Sequence, residues 1–164
     1  MIFNAFGDEC IIQPDGIILG NKKHSSIFDI LISLYALHAC PDQCITDPLK
    51  AYKEFPGSMP YVGAFATHTE QLLVSYVSEI KNKIQKITKN LNGNEASDEI
   101  GGDFSFIVYP LPKIALCYIF YDADEDFPAS VTCLYSNNAN QFLPVDGLAD
   151  VGEYCSKKIL ELIE

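Results

Sequence analysis

The chain has 164 residues, of which 48% are hydrophobic and 20% are charged, a composition typical of a globular protein that buries a core. Its formal net charge is −11, because 22 acidic residues face 11 lysines and no arginine is present. We therefore expect neither nucleic acid nor an anionic membrane surface as a partner, since both bind basic surfaces.

The first segment, residues 2–19, predicts antiparallel strands that include a hairpin. Pro14-Asp15-Gly16 separates two apolar runs, and in such a turn proline fixes φ while glycine accepts a positive φ. Residues 20–24 are predicted to form a loop.

The next segment, residues 27–39, is apolar at nearly every position. Ser25 or Ser26 can cap it, and Ser26 with Asp29 has the spacing of a capping box. The run is too short to span a bilayer, so we predict a helix that is buried on most sides and ends at Pro41.

Residues 41–65 contain four prolines and two glycines, which predicts a long ordered loop with one helical turn around residues 50–53. Four aromatic residues indicate that this loop docks on the core: Tyr52, Phe55, Tyr61 and Phe65.

A long helix is predicted next, because Thr67 and Glu70 have the spacing of a capping box and Gly93 is a plausible end. Its apolar residues recur at alternating steps of four and three and so share one face: Leu73, Val77, Ile80, Ile84, Ile87 and Leu91. The polar residues 94–102 are predicted to form a mobile connection.

Three strands and a closing helix complete the chain, at residues 104–109, 114–121, 130–135 and 146–163. Residues 114–121 are apolar at every position, which predicts a central strand covered on both faces. The order of elements predicts a single α+β domain over residues 1–164, with a mainly antiparallel sheet and about three main helices packed on it.

The location that we expect is the cytoplasm. No stretch reaches the ~18 apolar residues of a transmembrane helix, and residues 1–6 lack the positive charge of a signal peptide. The six cysteines lie mostly inside apolar runs, which is typical of reduced and buried thiols.

The acidic segment after the central strand resembles the start of a calcium loop, because Asp122, Asp124 and Asp126 are spaced two apart. The rest of the EF-hand pattern is missing, since Phe127 and Cys133 stand where glycine and glutamate are required. Two interpretations stay open. The segment is either a solvated connection or a site for a polar ligand or weakly held divalent cation.

Other catalytic and metal-binding patterns are absent from the sequence. His38, Cys40 and Cys44 supply one cysteine pair where structural zinc usually has two. There is no P-loop, dinucleotide-binding motif or nucleophile elbow. We therefore assign no catalytic residue, no metal ligand and no cofactor.

Two segments predict a ligand site, because rigid loops with aromatic residues often line pockets. The predicted ligand-binding residues come from the 55–68 loop and the acidic segment: Tyr61, Phe65, His68, Tyr121, Asp124, Glu125 and Asp126. Our first hypothesis is a non-enzymatic domain that binds a small molecule or a protein partner. The alternatives are a metal-dependent enzyme that uses residues 122–126 with His68, and a structural subunit with an exposed apolar patch.

Several motifs also resemble a known family. They are Gly101-Gly102-Asp103, Leu111-Pro112-Lys113, Asp124-Glu125-Asp126-Phe127-Pro128-Ala129 and Phe142-Leu143-Pro144. The chain resembles the uncharacterised prokaryotic domain-of-unknown-function family numbered 3786, with Tyr121, Ala123 and Ser136 as departures from its pattern. Members occur in anaerobic bacteria and archaea, and some are joined to an iron–sulfur or corrinoid-related module. The resemblance implies a role beside corrinoid or one-carbon metabolism and assigns no activity.

Overall fold

The computed structural model describes residues 1–24 and 26–164. The strands are β1 (Ile2–Ala5), β2 (Asp8–Gln13), β3 (Gly16–Leu19), β4 (Lys22–His24), β5 (Lys50–Ala51), β6 (Asn94–Glu95), β7 (Phe104–Leu111), β8 (Ile114–Tyr121) and β9 (Ser130–Tyr135). The helices are α1 (Ile27–Leu37), α2 (Val62–Phe65), α3 (Leu72–Val74), α4 (Val77–Asn82), α5 (Ile84–Asn90) and α6 (Val145–Ile163), with a π-helical turn at Ala66–Gln71. Among the described residues, no helix has the length and apolar character needed to cross a membrane.

The first sheet is an antiparallel meander in the order β1-β2-β3-β4, which confirms the hairpin at Pro14-Asp15-Gly16. The prediction of a loop over residues 20–24 is wrong, because β4 pairs with β3. Gly20 makes this possible, since its φ of +59° lets the chain reverse tightly enough for Lys22 to pair with Leu19.

The capping box of α1 is confirmed, although Ser25 lies outside the described residues. The Phe28 amide donates to Ser26 Oγ and the Ser26 amide donates to Asp29 Oδ2, each at 3.3 Å. The expected burial on most sides is wrong, because α1 packs on one face only. Ile30 is 61% exposed and Leu37 is 80% exposed, and the helix ends at Leu37, before Pro41.

The loop at residues 41–65 is more regular than predicted. It contains β5, which pairs with the edge of β9, and two 3-10 turns at Tyr52–Glu54 and Met59–Tyr61. Three of its four aromatic residues dock in the core, as expected: Tyr52, Phe55 and Phe65. Tyr61 remains 38% exposed.

The long helix begins at Val62, earlier than predicted, and it is interrupted near Tyr76 and Lys83. The predicted capping box is wrong because Thr67 and Glu70 lie within the π-helical turn. Thr67 Oγ1 donates to Gly63 O at 3.0 Å, a bond that requires a helix already formed before Thr67. The apolar face is confirmed: Leu73, Val77, Ile80, Ile87 and Leu91 are buried and Ile84 packs against them.

The second sheet has the order β5-β9-β8-β7-β6, and all its neighbouring strands are antiparallel. The central position of β8 is confirmed, since every residue from Ile114 to Phe120 is buried and only Tyr121 is exposed. α1, the helical run of residues 62–90 and α6 share one cluster of buried side chains with the sheets. This is the α+β architecture that the sequence predicts.

The π-helical turn packs closely against α6. A Cβ atom on Gly152 would lie 2.7 Å from Thr69 Oγ1 and 2.8 Å from Tyr135 Oη, so this contact requires glycine. Ser156 Oγ donates to Thr69 O at 2.7 Å and lies 3.0 Å from Tyr118 Oη. Buried polar groups of the turn, the sheet and α6 are thereby hydrogen-bonded to one another.

Candidate functional site

The acidic connection, residues 122–129, is held by hydrogen bonds of its own carboxylates. Asp124 Oδ1 accepts from the amides of Asp126 at 2.8 Å and Phe127 at 2.7 Å. Asp122 pairs with Lys81 at 2.7 Å. Two of its carboxylates therefore shape the turn and its contact with α4, whereas Glu125 is exposed.

A cleft of about 540 Å³ lies beside this connection, and we call it the acidic cleft. Its lining consists of Asp103, Tyr121, Asp122, Asp124, Phe127, Pro128 and Ser130. Two of the predicted ligand-binding residues, Tyr121 and Asp124, belong to it. Tyr121 is 44% exposed and Phe127 is 70% exposed, so aromatic surface lies beside the carboxylates.

Glu125 and Asp126 are exposed residues of the acidic connection that do not line the cleft, whereas Phe65 lies at the opposite end of β9. The Phe65 ring stacks on Tyr52 at 4.5 Å and contacts Tyr135 at 5.8 Å, whereas Ser130 at the start of β9 lines the acidic cleft. At about 3.3 Å per residue, these two ends are roughly 17 Å apart. The structure therefore does not bring Phe65 together with Tyr121 and Asp124.

Tyr61 and His68 are both exposed, Tyr61 at the end of the 3-10 turn before α2 and His68 in the π-helical turn after it. Two residues after His68, Glu70 anchors the helical run to β9, because its Oε1 accepts from the Cys133 amide at 2.9 Å. Within residues 1–24 and 26–164, no three side chains of His, Cys, Asp or Glu converge as metal ligands. The metal-enzyme hypothesis needs His68 beside residues 122–126, an arrangement that is not seen.

A larger cleft of about 750 Å³ lies between the meander and α6, and we call it the lysine–aromatic cleft. The described residues that line it are Phe6, Asp8, Leu19, Gly20, Asn21, Lys22, Ser26, Phe28, Tyr154, Lys157, Lys158 and Glu161. Sequence reasoning missed it, because its residues come from four distant segments and form no motif. The local signals are the adjacent lysine pairs Lys22-Lys23 and Lys157-Lys158 in an acidic chain.

Three aromatic rings form the floor of the lysine–aromatic cleft. The ring of Phe6 lies 5.5 Å from that of Phe28 and 6.0 Å from that of Tyr154, and Phe28 meets Tyr154 edge-on at 5.5 Å. These tilted and edge-to-face arrangements are the favourable ones for aromatic pairs. Each ring comes from a different element, so the floor exists only in the folded chain.

The backbone at Phe6 is unusual. Phe6 and Gly7 form the two-residue turn between β1 and β2, with φ values of 51° and 88°. Positive φ at both positions suits a type I′ turn, in which the first position is ordinarily Asn, Asp or Gly. A bulky residue there is strained, and such strain is often found at ligand-binding positions.

The rim of the lysine–aromatic cleft carries three lysines and two carboxylates. Lys158 lies 3.4 Å from Asp8 and 3.8 Å from Glu161, and Lys157 pairs with Glu153 at 2.6 Å outside the cleft. Lys22 makes no ion pair with any residue in the described part of the chain. The lining therefore has more lysines than carboxylates, whereas the whole chain has a net charge of −11.

Burial raises the pKa of the Tyr154 phenol above its ordinary value of 10.0, and Asp150 raises it further, although Lys157 opposes the shift. The phenol is therefore protonated at neutral pH. Together with the lysines it gives the cleft several hydrogen-bond donors beside an apolar floor.

The comparisons with known proteins give a family and no function. No curated protein and no solved structure matches the chain. The model of a family described as Domain of unknown function (DUF3786) matches residues 1–158, which is nearly the whole chain. This confirms the resemblance that the sequence motifs indicate, and the chain belongs to that domain-of-unknown-function family.

Proposed function

We propose that this domain binds a small molecule in the lysine–aromatic cleft. The observation that carries the proposal is the floor of three aromatic rings beneath a cleft of about 750 Å³. Ligand pockets are typically about 300–1,000 Å³ and combine apolar lining with a few polar groups, and this cleft has both properties.

The strained turn at Phe6 supports the same proposal. An asparagine at this position would suit φ of 51° better than phenylalanine, but it would supply no ring to the floor. The chain instead has phenylalanine at a positive φ, which costs on the order of 1–3 kcal/mol. Phe6 is 4% exposed, so packing of its ring offsets part of this cost, and the residue also lines the cleft.

Chemical-shift mapping tests the proposal. Labelled protein is titrated with a panel of single-ring fragments that are neutral, anionic or cationic, and the backbone amides are followed. We expect at least one fragment to shift amides in residues 19–22 and 154–158 together. A panel that leaves both segments unchanged would overturn the proposal.

Two tyrosine variants provide the matched comparison. Tyr154→Leu removes one ring from the floor and should abolish these shifts. Tyr76→Leu changes a tyrosine that is 43% exposed and does not line the cleft, so the shifts should persist. Loss of the shifts in both variants would indicate a general effect on the fold.

A second candidate function is binding of a basic partner at the acidic cleft. The exposed rings of Tyr121 and Phe127 beside Asp124 favour it, because aromatic faces and carboxylates both attract cations. The same panel tests it, since the cationic fragment should shift amides of residues 121–130. No shift there would remove this candidate.

We also propose a cytoplasmic location. All six cysteines are free and four of them are buried, which supports a reducing compartment. Exposure of the protein to oxidised glutathione should modify Cys40 and Cys44 only, the two that are partly accessible. A role beside corrinoid or one-carbon metabolism is a proposal from family resemblance, and no residue of either cleft supports it.

A further inference from the structure

We infer that the ligand of the lysine–aromatic cleft is an anion carried on a planar ring, such as an aromatic carboxylate or a phosphorylated aromatic compound. The inference rests on the proposed function and adds the ligand class to it. It depends on two features of the cleft that lie side by side, the lysines of the rim and the aromatic floor.

Lysines on both sides of the lysine–aromatic cleft supply positive charge for a ligand. Lys22 lies on the meander side of the cleft and Lys157 and Lys158 lie on α6, so positive charge faces the cleft from both walls. Lys22 has no carboxylate within 4.0 Å among the described residues. An anion in the cleft would therefore meet a lysine whose charge is not yet compensated.

A ligand anion would compete with the ion pairs that Lys158 already makes. Lys158 is shared between Asp8 and Glu161 at 3.4 and 3.8 Å, both longer than the 2.7–2.9 Å of a close charge-assisted hydrogen bond. Exposed ion pairs of this kind contribute about 0–1 kcal/mol. A ligand anion that makes shorter bonds can replace these contacts at little cost.

The aromatic floor favours a ligand that carries its anion on a planar ring. Lys157 Nζ lies 6.0 Å from the centroid of the Tyr154 ring, and this ring packs edge-on against Phe28 and Phe6. A planar group that packs against Tyr154 would therefore lie near at least one lysine ammonium group. A free inorganic anion would leave the apolar floor exposed to water. A cationic ring would cover the floor, but the lysines would repel its charge.

Four probes separate these possibilities in one nuclear magnetic resonance experiment: phenyl phosphate, benzyl alcohol, benzylamine and inorganic phosphate. We expect phenyl phosphate to shift amides in residues 19–22 and 154–158 with an affinity at least about tenfold higher than that of the other three. Equal or tighter binding of benzyl alcohol or benzylamine at these amides would refute the ligand class and leave the binding site intact. Equal binding of inorganic phosphate would show that the ring contributes nothing, which also refutes the class. If no probe shifts these amides, the proposed function fails as well.

Neighbouring lysines give a matched pair of variants. Lys22→Gln should weaken phenyl phosphate binding by about fivefold, as expected for the loss of one exposed charge interaction. Lys23→Gln makes the same charge change one residue away, but Lys23 lies 3.6 Å from Asp15 and does not line the cleft. The affinity of the Lys23→Gln variant for phenyl phosphate should equal that of the unchanged protein. Equal losses in the two variants would attribute binding to net charge alone and overturn the inference.

Discussion

The ring of Phe6 lies against the ring of Tyr154, with centroids 6.0 Å apart and planes at 66°. Phe6 belongs to the first turn of the chain and Tyr154 to its last helix, so one contact joins the meander to α6. The same two rings form part of the floor of the lysine–aromatic cleft. Stability and the proposed binding site therefore depend on the same contact.

We predict that Phe6→Ala destabilises the protein by about 3–5 kcal/mol, the usual cost of removing a buried phenylalanine. Urea denaturation measures this change. Phe127→Ala is the control, because Phe127 is 70% exposed and its removal should change the free energy of unfolding by no more than about 0.5 kcal/mol. A similar small change for Phe6→Ala would show that the ring does not join the two elements.

Glu70 should make stability depend on pH. Burial raises its pKa above the ordinary value of 4.5, although the hydrogen bond from the Cys133 amide opposes the shift. The unfolded chain therefore loses the Glu70 proton at a lower pH than the folded chain. The free energy of unfolding should fall as the pH rises from about 4.5 through the raised pKa.

Glu70→Gln should remove this fall while keeping an acceptor for the Cys133 amide. Glu70→Ala leaves that amide without its partner and should cost about 1–3 kcal/mol. Urea denaturation between pH 4 and pH 8 distinguishes the variants, with the exposed Glu79→Gln as the control for net charge. If the Glu70→Gln variant keeps the same pH dependence, the fall in stability does not come from the raised pKa of Glu70.

Gly152→Ala should destabilise the protein by about 1–3 kcal/mol, because a methyl group would overlap Thr69 Oγ1 and Tyr135 Oη. Gly63→Ala is the matched control, since a Cβ at Gly63 meets nothing within 4 Å. That substitution lies in α2 and should stabilise the protein by up to about 1 kcal/mol. Thermal unfolding of the pair measures both changes. Equal effects of the two would contradict the close approach of α6 to the π-helical turn.

The two clefts should act independently. Asp124→Asn keeps the oxygen that accepts from the Asp126 and Phe127 amides, so the turn should persist. Because Asp124 does not line the lysine–aromatic cleft, the affinity for phenyl phosphate should change by less than about twofold. Isothermal titration measures the affinity. A larger loss would mean that the acidic connection contributes to the same site.

The features that could be predicted from sequence are those with a local physical cause. The turn at Pro14-Asp15-Gly16, the cap at Ser26 and the apolar run of β8 are each specified by neighbouring residues, and the structure confirms them. The α+β class follows from the order of such elements.

The features that could not be predicted depend on distant residues. Thr67 and Glu70 have the spacing of a cap, but Ser156 and Cys133 bind the turn in which they lie, and these partners are far away in the chain. The exposed face of α1 carries large apolar residues, as its buried face does. The hydrophobic pattern of the sequence therefore does not indicate which face of the helix packs on the core. The lysine–aromatic cleft combines four segments, and no spacing rule connects them.

The most direct test of the proposed binding site is a crystal structure of the protein grown with phenyl phosphate. We predict density for the ring against Phe6 and Tyr154, with the phosphate within hydrogen-bonding distance of Lys22. Density for the compound only in the acidic cleft, beside Tyr121 and Asp124, would contradict it.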